Sequence, residues 1–478
     1  MGKILLFILI FIARFIQAQE VDIERFWTAN TAIIHSAVKI KSFYQIDSLA
    51  KDSTSNISVS IAPDVLFAYQ QDAFRMKTGI NVVFQANWKS KISFISNYRV
   101  GYSNQATTIF ESVLQPKAFF ANPLKNDQSI YHDIRGRFTF TPNKYLQFQT
   151  GIDHLFIGEG DRSLFLGNQG VPNPFAQLKV KLWKFEYHFI QQFWREGIYK
   201  RYAPKANTTH YLSFKANKKW SFGFFETVVY DMKDTLYDRG LELEYLNPVV
   251  FFRPQEYNLG SSDNVILGID FAYQKKKSML YGQIIVDDFF LTEMRARNRW
   301  WANKFGVQLG FKKWVDKGEN HFFVRSELNI VRPFTYSQVN RNAVYGNSGL
   351  TAAHPLGSNF VEFYQEVSFQ RKDWKVQLWA QAYLKGLDSI KGAGASFGGD
   401  IYQSYNYRPE EYNFTIGRGM TTHVLQIGTQ VSKSILNQNL QLFVEPRLRI
   451  INSEGSVHNQ FYFTAGIQRK LGSDRRNY

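Results

Sequence analysis

Hydrophobic and polar residues alternate along many short segments of this chain. In KVQLWAQAYLKG (residues 375–386), every even position from Val376 to Leu384 is apolar, whereas Gln377, Gln381 and Lys385 lie at odd positions. Successive side chains of a strand point to opposite faces, so the segment predicts a β-strand with one dry face and one wet face. The same pattern recurs in the segments 145–153, 321–330, 360–370, 440–450 and 459–471.

Strands of this kind occur both in soluble sandwiches and in membrane barrels, and three features favour the barrel. The chain has 26 Tyr and 10 Trp, and its strands are numerous and joined by short hairpins such as NKKW (217–220). The wet face also carries charges such as Arg325 and Glu327, as the lining of an aqueous lumen does. The predicted fold is therefore all-β: a transmembrane antiparallel β-barrel of about 16–18 strands, with an irregular lumen segment and long external loops.

The composition narrows the class of protein. The chain has 478 residues, of which 44% are hydrophobic, and this excludes a disordered chain. It has no cysteine, so it has no disulfide and no thiolate metal site. The formal net charge of +17 attracts anions, and for an exported chain these are phosphorylated lipid or acidic polysaccharide rather than nucleic acid.

The N-terminus predicts export. Lys3 precedes an apolar run from Ile4 to Ile12, and a cleavage site follows at Ala18. This arrangement is typical of a secretory signal peptide over residues 1–18. We expect residues 19–56 to form a cap or plug and residues 57–478 to form the barrel, in the outer membrane of a bacterium.

Several stretches break the alternation and belong in long external loops or in the lumen. Residues 235–264 include FFRPQEYNLGSSDN, which is predicted to fold into the lumen with Arg253, Glu256 and Asp263 as polar anchors. Residues 386–422 are rich in Gly, Tyr and Arg and form a second irregular stretch.

Four segments between residues 158 and 366 carry a resemblance to a known family. They are GEGDRSLFLGNQGVPNPFAQLKVKLWKFEY, LEYLNPVVFFRPQEYNLGSSDNVILGIDF, LYGQIIVDDF with RWWANKFGVQLGFK, and AAHPLGSNFVEFYQE. In this order they resemble the capsule-assembly Wzi-like proteins of the Bacteroidetes, which include the gliding-motility protein RemB. The resemblance implies an outer-membrane barrel that handles surface polysaccharide, for capsule attachment or for gliding, with other cell-surface or gliding proteins as further partners.

Basic and aromatic residues form the candidate binding site. Arginine forks grip carboxylates, and flat aromatic rings offer apolar faces on which sugar rings stack. An acidic glycan site is therefore predicted from Arg253, Glu256, Tyr257, Arg295, Arg297, Arg299, Trp300 and Trp301. An equally weighted alternative is that both tryptophans belong to an interfacial girdle and the arginines face the phosphates of lipopolysaccharide or other membrane lipid.

Catalytic chemistry has little support in the sequence. GASFG (394–398) matches the nucleophile-elbow pattern around Ser396, but no helical pattern follows it, which favours a flexible loop. The nine histidines lack the spacing of a zinc site. Adjacent carboxylates such as Glu410 and Glu411 diverge on a strand, so ion pairing explains them better than glycoside hydrolysis. We expect no catalytic residue, metal or cofactor, and the alternatives are a porin-like diffusion channel or, less favoured, an outer-membrane hydrolase.

Overall fold

The computed structural model describes residues 38–39, 56–70, 73–89, 91–104, 120–123, 128–168, 171–196, 203–233, 240–247, 263–388, 394–435 and 440–469. Eighteen long strands form the wall of a barrel: β2 (Asn56–Gln70), β3 (Ala73–Trp88), β4 (Ile92–Ser103), β6 (Ser129–Phe140), β7 (Leu146–Asp153), β9 (Asn173–Leu182), β10 (Phe185–Glu196), β11 (Ala203–Lys215), β12 (Trp220–Asp231), β13 (Asn264–Lys275), β14 (Ser278–Asp288), β15 (Lys304–Lys317), β16 (Asn320–Val331), β19 (Phe360–Arg371), β20 (Trp374–Leu387), β21 (Met420–Ile435), β22 (Leu440–Ser453) and β23 (Ser456–Arg469).

The remaining elements are short. The strands are β1 (Val38–Lys39), β5 (Phe120–Pro123), β8 (Phe156–Ile157), β17 (Gly346–Asn347) and β18 (Leu350–Thr351). The helices are α1 (Leu291–Ala296) and three 3-10 turns at Leu243–Leu246, Arg341–Ala343 and Tyr405–Tyr407. Among the described residues, no helix has the length and apolar character needed to cross a membrane.

The barrel closes between its first and last strands. β2 pairs with β3 on one side and with β23 on the other, from Val65 opposite Ile467 to Gln70 opposite Tyr462. Every neighbouring pair in the ring is antiparallel, so the backbone groups of the wall are satisfied within the ladder and no edge strand is left in lipid. The predicted fold class is confirmed, and the strand number is the upper value of the predicted range.

The two faces of the wall are those that the alternation predicts. On β20, Leu378 points outward and is 50% exposed, whereas its neighbour Trp379 points inward and is 8% exposed. On β16, Phe322 is exposed on the outer face, whereas Glu327 is buried inside. Large apolar side chains cover the outer face of every wall strand in this way. This belt meets hydrocarbon rather than water, as in a transmembrane barrel.

The two ends of the barrel differ in the length of their connections. At one end, which we call the turn end, eight connections of two to five residues join neighbouring strands. The first wall strand begins at this end and the last wall strand ends there. At the other end, here the loop end, nine connections reach lengths of up to 32 residues. Short hairpins at the turn end use residues with positive φ, such as Trp183 (φ 54) and Lys276 (φ 52), because such turns match the twist of the strands.

Two stretches from the loop end fill the interior. We call residues 154–168 the plug segment and residues 332–359 the lumen loop. Together with inward side chains of the wall they form an apolar cluster in which Phe165, Phe225, Tyr336 and Tyr345 are almost fully buried. Many inward charges of the wall are buried beneath these stretches rather than facing open water.

The other predicted interior segments are described only in part. Residues 248–262, which include Arg253 and Glu256, lie outside the described residues, whereas Asp263 is buried and accepts a hydrogen bond from the Tyr245 hydroxyl at 2.8 Å. Of the predicted N-terminal cap, the structure describes β1, which pairs with β8 of the plug segment. The division of the chain at residues 18 and 56 stays a prediction.

Candidate functional site: a filled lumen and an arginine-rich loop end

The plug segment is held by ionised side chains of β16. Asp161 accepts a hydrogen bond from Arg325 Nη1 at 2.7 Å, and its backbone N–H and that of Arg162 both donate to the carboxylate of Glu327. The Tyr281 hydroxyl from β14 donates to the same carboxylate at 2.7 Å. All these groups are buried, and the charges of Asp161, Arg325 and Glu327 each have a partner, as buried charges require.

Amide side chains of the wall extend this attachment along the plug segment. Gln283 accepts a hydrogen bond from the Leu164 N–H at 2.8 Å and donates to the Ile157 carbonyl at 3.2 Å. The Phe165 ring stacks on Phe225 with centroids 4.6 Å apart. A Cβ at Gly268 would lie 2.4 Å from the Phe165 ring, so the absent side chain of this strand residue lets the plug segment reach the wall. The segment is therefore fixed by both polar and apolar contacts.

A second buried network centres on Glu362 of β19. Its carboxylate accepts hydrogen bonds from His354 at 2.7 Å, from Asn329 at 2.8 Å and from Gln381 at 2.6 Å. Arg162 of the plug segment lies 3.7 Å from the same carboxylate. Burial alone would lower the pKa of the Arg162 guanidinium, but the Glu362 and neighbouring carboxylates outweigh it and raise the pKa above its ordinary value. This network joins the plug segment to the lumen loop.

The hydrogen bonds of His354 define its tautomer. The Leu356 N–H donates to Nδ1 at 3.1 Å, so Nδ1 is the acceptor and the proton lies on Nε2, which donates to Glu362. Burial lowers the pKa of His354 below its ordinary value, despite the neighbouring Glu362 carboxylate. The imidazole is therefore neutral at pH 7.

The lumen loop is tied to the wall and to the neighbouring long loop. The Tyr336 N–H donates to Asp287 at 2.8 Å, and Lys205 donates to the Val344 carbonyl at 3.0 Å. The Asn359 amide donates to the Arg418 carbonyl at 2.8 Å and accepts from the Gly417 N–H at 2.8 Å. The lumen loop and the described part of the loop 388–419 thus form one hydrogen-bonded layer.

The sequence MRARNRWWANK lies in this layer, after β14. Backbone N–H groups of Asn413 and Phe414 donate to the carbonyls of Asn298 and Arg299, each at 3.0 Å. Arg297 and Arg299 have φ of 54° and 57°, a left-handed conformation that costs energy for residues other than glycine and persists only where surrounding contacts impose it. Arg295, Arg297 and Arg299 are exposed.

The two tryptophans are in a different environment from the arginines. Trp301 donates through Nε1 to Glu411 at 2.7 Å, its ring packs on Tyr405, and the Arg408 guanidinium lies 4.2 Å from its centroid. Trp300 is half-buried, with Phe290 packed at right angles to it. Neighbouring side chains therefore occupy the Trp301 ring, and its assignment to a sugar site or to an interfacial girdle stays a prediction.

Two exposed tyrosines of the same layer were missed by reasoning from the sequence. Tyr407 and Tyr412 lie on the loop 388–419 that pairs with residues 298–301, and both rings are exposed. Only the richness of residues 386–422 in tyrosine and arginine signalled them. Arg253, Glu256 and Tyr257 lie outside the described residues, so this part of the predicted site stays a prediction.

The residues considered for catalysis are held by hydrogen bonds and ion pairs within the loops. Ser396 is fully buried in an irregular segment with no helix after it, and its N–H donates to the Tyr407 carbonyl at 2.9 Å. A nucleophile elbow needs a strand, a sharp turn and a helix, so this geometry does not match one. Glu410 pairs with Arg418 at 2.7 Å, and Glu411 pairs with Arg408. Within the described residues, no three His, Asp or Glu side chains are grouped as a metal site would require.

Comparison with known proteins identifies the architecture. No protein-family model matches the sequence, and no curated protein matches it. The fold is similar to that of Wzi of Escherichia coli, an outer-membrane protein involved in group 1 capsule assembly and described as a carbohydrate-binding β-barrel. That similarity has a TM-score of 0.59 at 10% identity and covers 94% of this chain and 98% of that one. The chain is an outer-membrane β-barrel.

A weaker similarity is to another outer-membrane barrel, OprD of Pseudomonas aeruginosa, with a TM-score of 0.47 and 9% identity. It covers 87% of this chain and 96% of that one.

In bacterial outer-membrane barrels the short turns face the periplasm and the long loops face outward. The turn end of this outer-membrane barrel is therefore periplasmic. The layer with the exposed arginines faces the outside of the cell.

Proposed function

We propose that this outer-membrane barrel is a non-catalytic surface protein that binds acidic polysaccharide at its loop end, in capsule attachment or in gliding motility. The observation that carries the proposal is the exposed set of arginines on a hydrogen-bonded loop layer. Arg295, Arg297 and Arg299 provide charge-assisted donors for carboxylates, and Tyr407 and Tyr412 provide exposed flat rings on the loop that is hydrogen-bonded to residues 298–301.

The filled interior supports a binding role over a transport role. The plug segment and the lumen loop are fixed by buried ion pairs and hydrogen bonds across the barrel, including Arg325 with Asp161 and His354 with Glu362. A diffusion channel needs a continuous aqueous path past these groups. The carbohydrate-binding description of Wzi, a barrel of similar fold, agrees with the same reading.

The binding arm of the test uses the purified full chain in detergent. We expect it to bind an acidic polysaccharide such as polygalacturonate and not neutral dextran. Replacing Arg295, Arg297 and Arg299 together by Ser should weaken binding roughly tenfold or more, because three charge-assisted contacts are lost. The matched control is Lys317→Ser with Lys372→Ser, two exposed lysines at the opposite end, and it should leave affinity unchanged. Equal affinity of the arginine variant and the wild type would refute the proposed site.

The transport arm measures efflux of small solutes from vesicles that contain the protein. We expect no efflux beyond that of empty vesicles. Efflux that depends on solute size would instead support the porin-like alternative.

The roles in capsule attachment and in gliding can be distinguished by a gene deletion in the living cell. A clean deletion of the gene is scored for capsule retention and for spreading on agar, and is then complemented with wild-type protein or the arginine variant. Loss of one phenotype alone assigns the role. Full rescue of both by the arginine variant would disconnect the loop arginines from either role.

A further inference from the structure

The positive charge of the connections lies at the turn end, not at the loop end. The nine connections at the loop end hold 16 lysines and arginines against 17 aspartates and glutamates. The eight connections at the turn end hold nine lysines against two acidic residues. The connections at the loop end therefore carry no excess of positive charge, and the excess of lysine at the turn end requires its own explanation.

The lysines form a continuous arc along the periplasmic edge. The five hairpin turns between β3 and β14 each contain lysine and no acidic residue. These turns follow one another around the ring, because their strands are neighbours in the barrel. We call the arc the lysine rim and define it by the lysines of these five turns, which are Lys89, Lys91, Lys144, Lys184, Lys218, Lys219, Lys276 and Lys277. All but Lys184 are exposed.

Outward aromatic rings lie at the same level. Trp88 is 62% exposed on the outer face of β3. Trp183, in the turn after β9, is 77% exposed, and its ring centroid lies 6.1 Å from that of the exposed Phe185 on β10. Lys184 Nζ lies 5.0 Å from the Trp183 ring centroid, and Lys144 Nζ lies 5.0 Å from the Tyr145 ring centroid. Outward tryptophan and tyrosine rings mark the headgroup level of a membrane. The lysine amines therefore lie beside the lipid, at the level of its phosphates.

We propose that the lysine rim binds the phosphate groups of anionic phospholipids in the bilayer leaflet that surrounds the turn end. Clustered lysines at a membrane surface attract anionic lipid additively. Lysine acts as a point charge without the fixed fork of arginine, and this suits headgroups that exchange. The site is at the opposite end from the proposed polysaccharide site, so the two proposals stand or fall separately.

The test uses the full chain in vesicles of phosphatidylcholine mixed with phosphatidylglycerol. Brominated lipids quench nearby tryptophan fluorescence, and the outward rings beside the rim report on the lipid there. Quenching by brominated phosphatidylglycerol is compared with quenching by brominated phosphatidylcholine. We expect a preference for phosphatidylglycerol of roughly fivefold or more at low salt, decreasing as salt screens the charges.

The variant replaces the seven exposed lysines of the rim, Lys89, Lys91, Lys144, Lys218, Lys219, Lys276 and Lys277, by Gln, and its folding is checked by circular dichroism. Its preference should fall to near unity. The control replaces Arg295, Arg297 and Arg299 by Gln and should keep the wild-type preference. The proposal is overturned by a wild type without preference, or by a rim variant that retains it. Binding of soluble polygalacturonate through the rim, without any lipid preference, would also overturn it and would assign the rim to an acidic polymer.

Discussion

The Nε2 atom of His354 lies 2.7 Å from a carboxylate oxygen of Glu362, inside the barrel and out of contact with solvent. His354 belongs to the lumen loop and Glu362 to the wall strand β19. The same carboxylate lies 3.7 Å from Arg162 of the plug segment. One buried carboxylate therefore connects both stretches that fill the interior to the wall.

Replacing His354 by Ala should destabilise the protein by about 3 kcal/mol, because a buried carboxylate loses a partner and a cavity remains. The midpoint of guanidinium-induced unfolding in lipid vesicles measures this. His458→Ala is the matched control, since His458 is exposed on β23, and it should change the midpoint little. Equal midpoints for the two variants would contradict the role assigned to His354.

The same residue predicts a dependence of stability on pH. Because burial lowers the pKa of His354 below its ordinary value of 6.5, the unfolded chain binds the proton more readily than the folded chain. The neutral His354 side chain therefore makes its full contribution to the free energy of unfolding above pH 6.5. This contribution is lost as pH falls toward the lowered pKa, by at most about 1.4 kcal/mol per pH unit. The facing charged groups are Glu362, Arg162 and Glu327.

The measurement compares unfolding midpoints of the wild type and His354→Gln at pH 7.5 and pH 5. Glutamine retains a donor for Glu362 but does not titrate. We expect the wild type to lose more stability than the variant over this interval. Parallel losses in the two proteins would place the titration elsewhere.

Much of this architecture can be read from the sequence, because alternation is a local property. Leu378 and Trp379 are neighbours, and their parity alone predicts which of them meets lipid. The closed ring follows from the number of such strands and from the need to pair every backbone group in a membrane.

The interior could not be predicted in the same way, because it depends on partners far apart in sequence. Reasoning from the sequence missed the plug segment 154–168, which Arg325 holds through Asp161. The prediction that residues 235–264 enter the lumen concerns mostly residues outside the described ranges, and it stays a prediction. The sequence likewise makes Trp301 a candidate for stacking on a sugar ring, but in the structure Arg408 and Tyr405 pack on its indole ring. The net charge is also a sum over all residues of the chain, so it does not show which end of the barrel carries the positive charge.

A glycine on β15 is predicted to control the position of Tyr281. Gly310 lies directly opposite Tyr281, and a Cβ at Gly310 would lie 2.2 Å from the Tyr281 ring. Gly310→Ala should therefore displace the ring from Glu327 and cost about 1–3 kcal/mol of stability. Ala382→Val, which adds methyl groups on the exposed outer face, is the control and should cost little.

A double-mutant cycle assigns this cost to the ring. In a Tyr281→Ala background, Gly310→Ala should become nearly neutral, because the clash is gone. Additive losses would show that the cost of Gly310→Ala arises somewhere other than Tyr281.

Glu327 is predicted to keep the plug segment in place. Its carboxylate accepts the backbone N–H groups of Asp161 and Arg162 and the Tyr281 hydroxyl, so Glu327→Ala leaves three buried donors without this acceptor. The cost of such a loss is about 3 kcal/mol, and it removes the contacts that fix the plug segment at Asp161 and Arg162, which favours local release of this segment. Hydrogen exchange detected by mass spectrometry should show faster exchange across residues 158–166 in the variant, while the wall strands stay protected. In a planar bilayer the variant should conduct more often than the wild type.

Glu319→Ala, at an exposed turn, is the control and should alter neither measurement. Unchanged exchange at residues 158–166 in Glu327→Ala would show that the plug segment is fixed without this carboxylate.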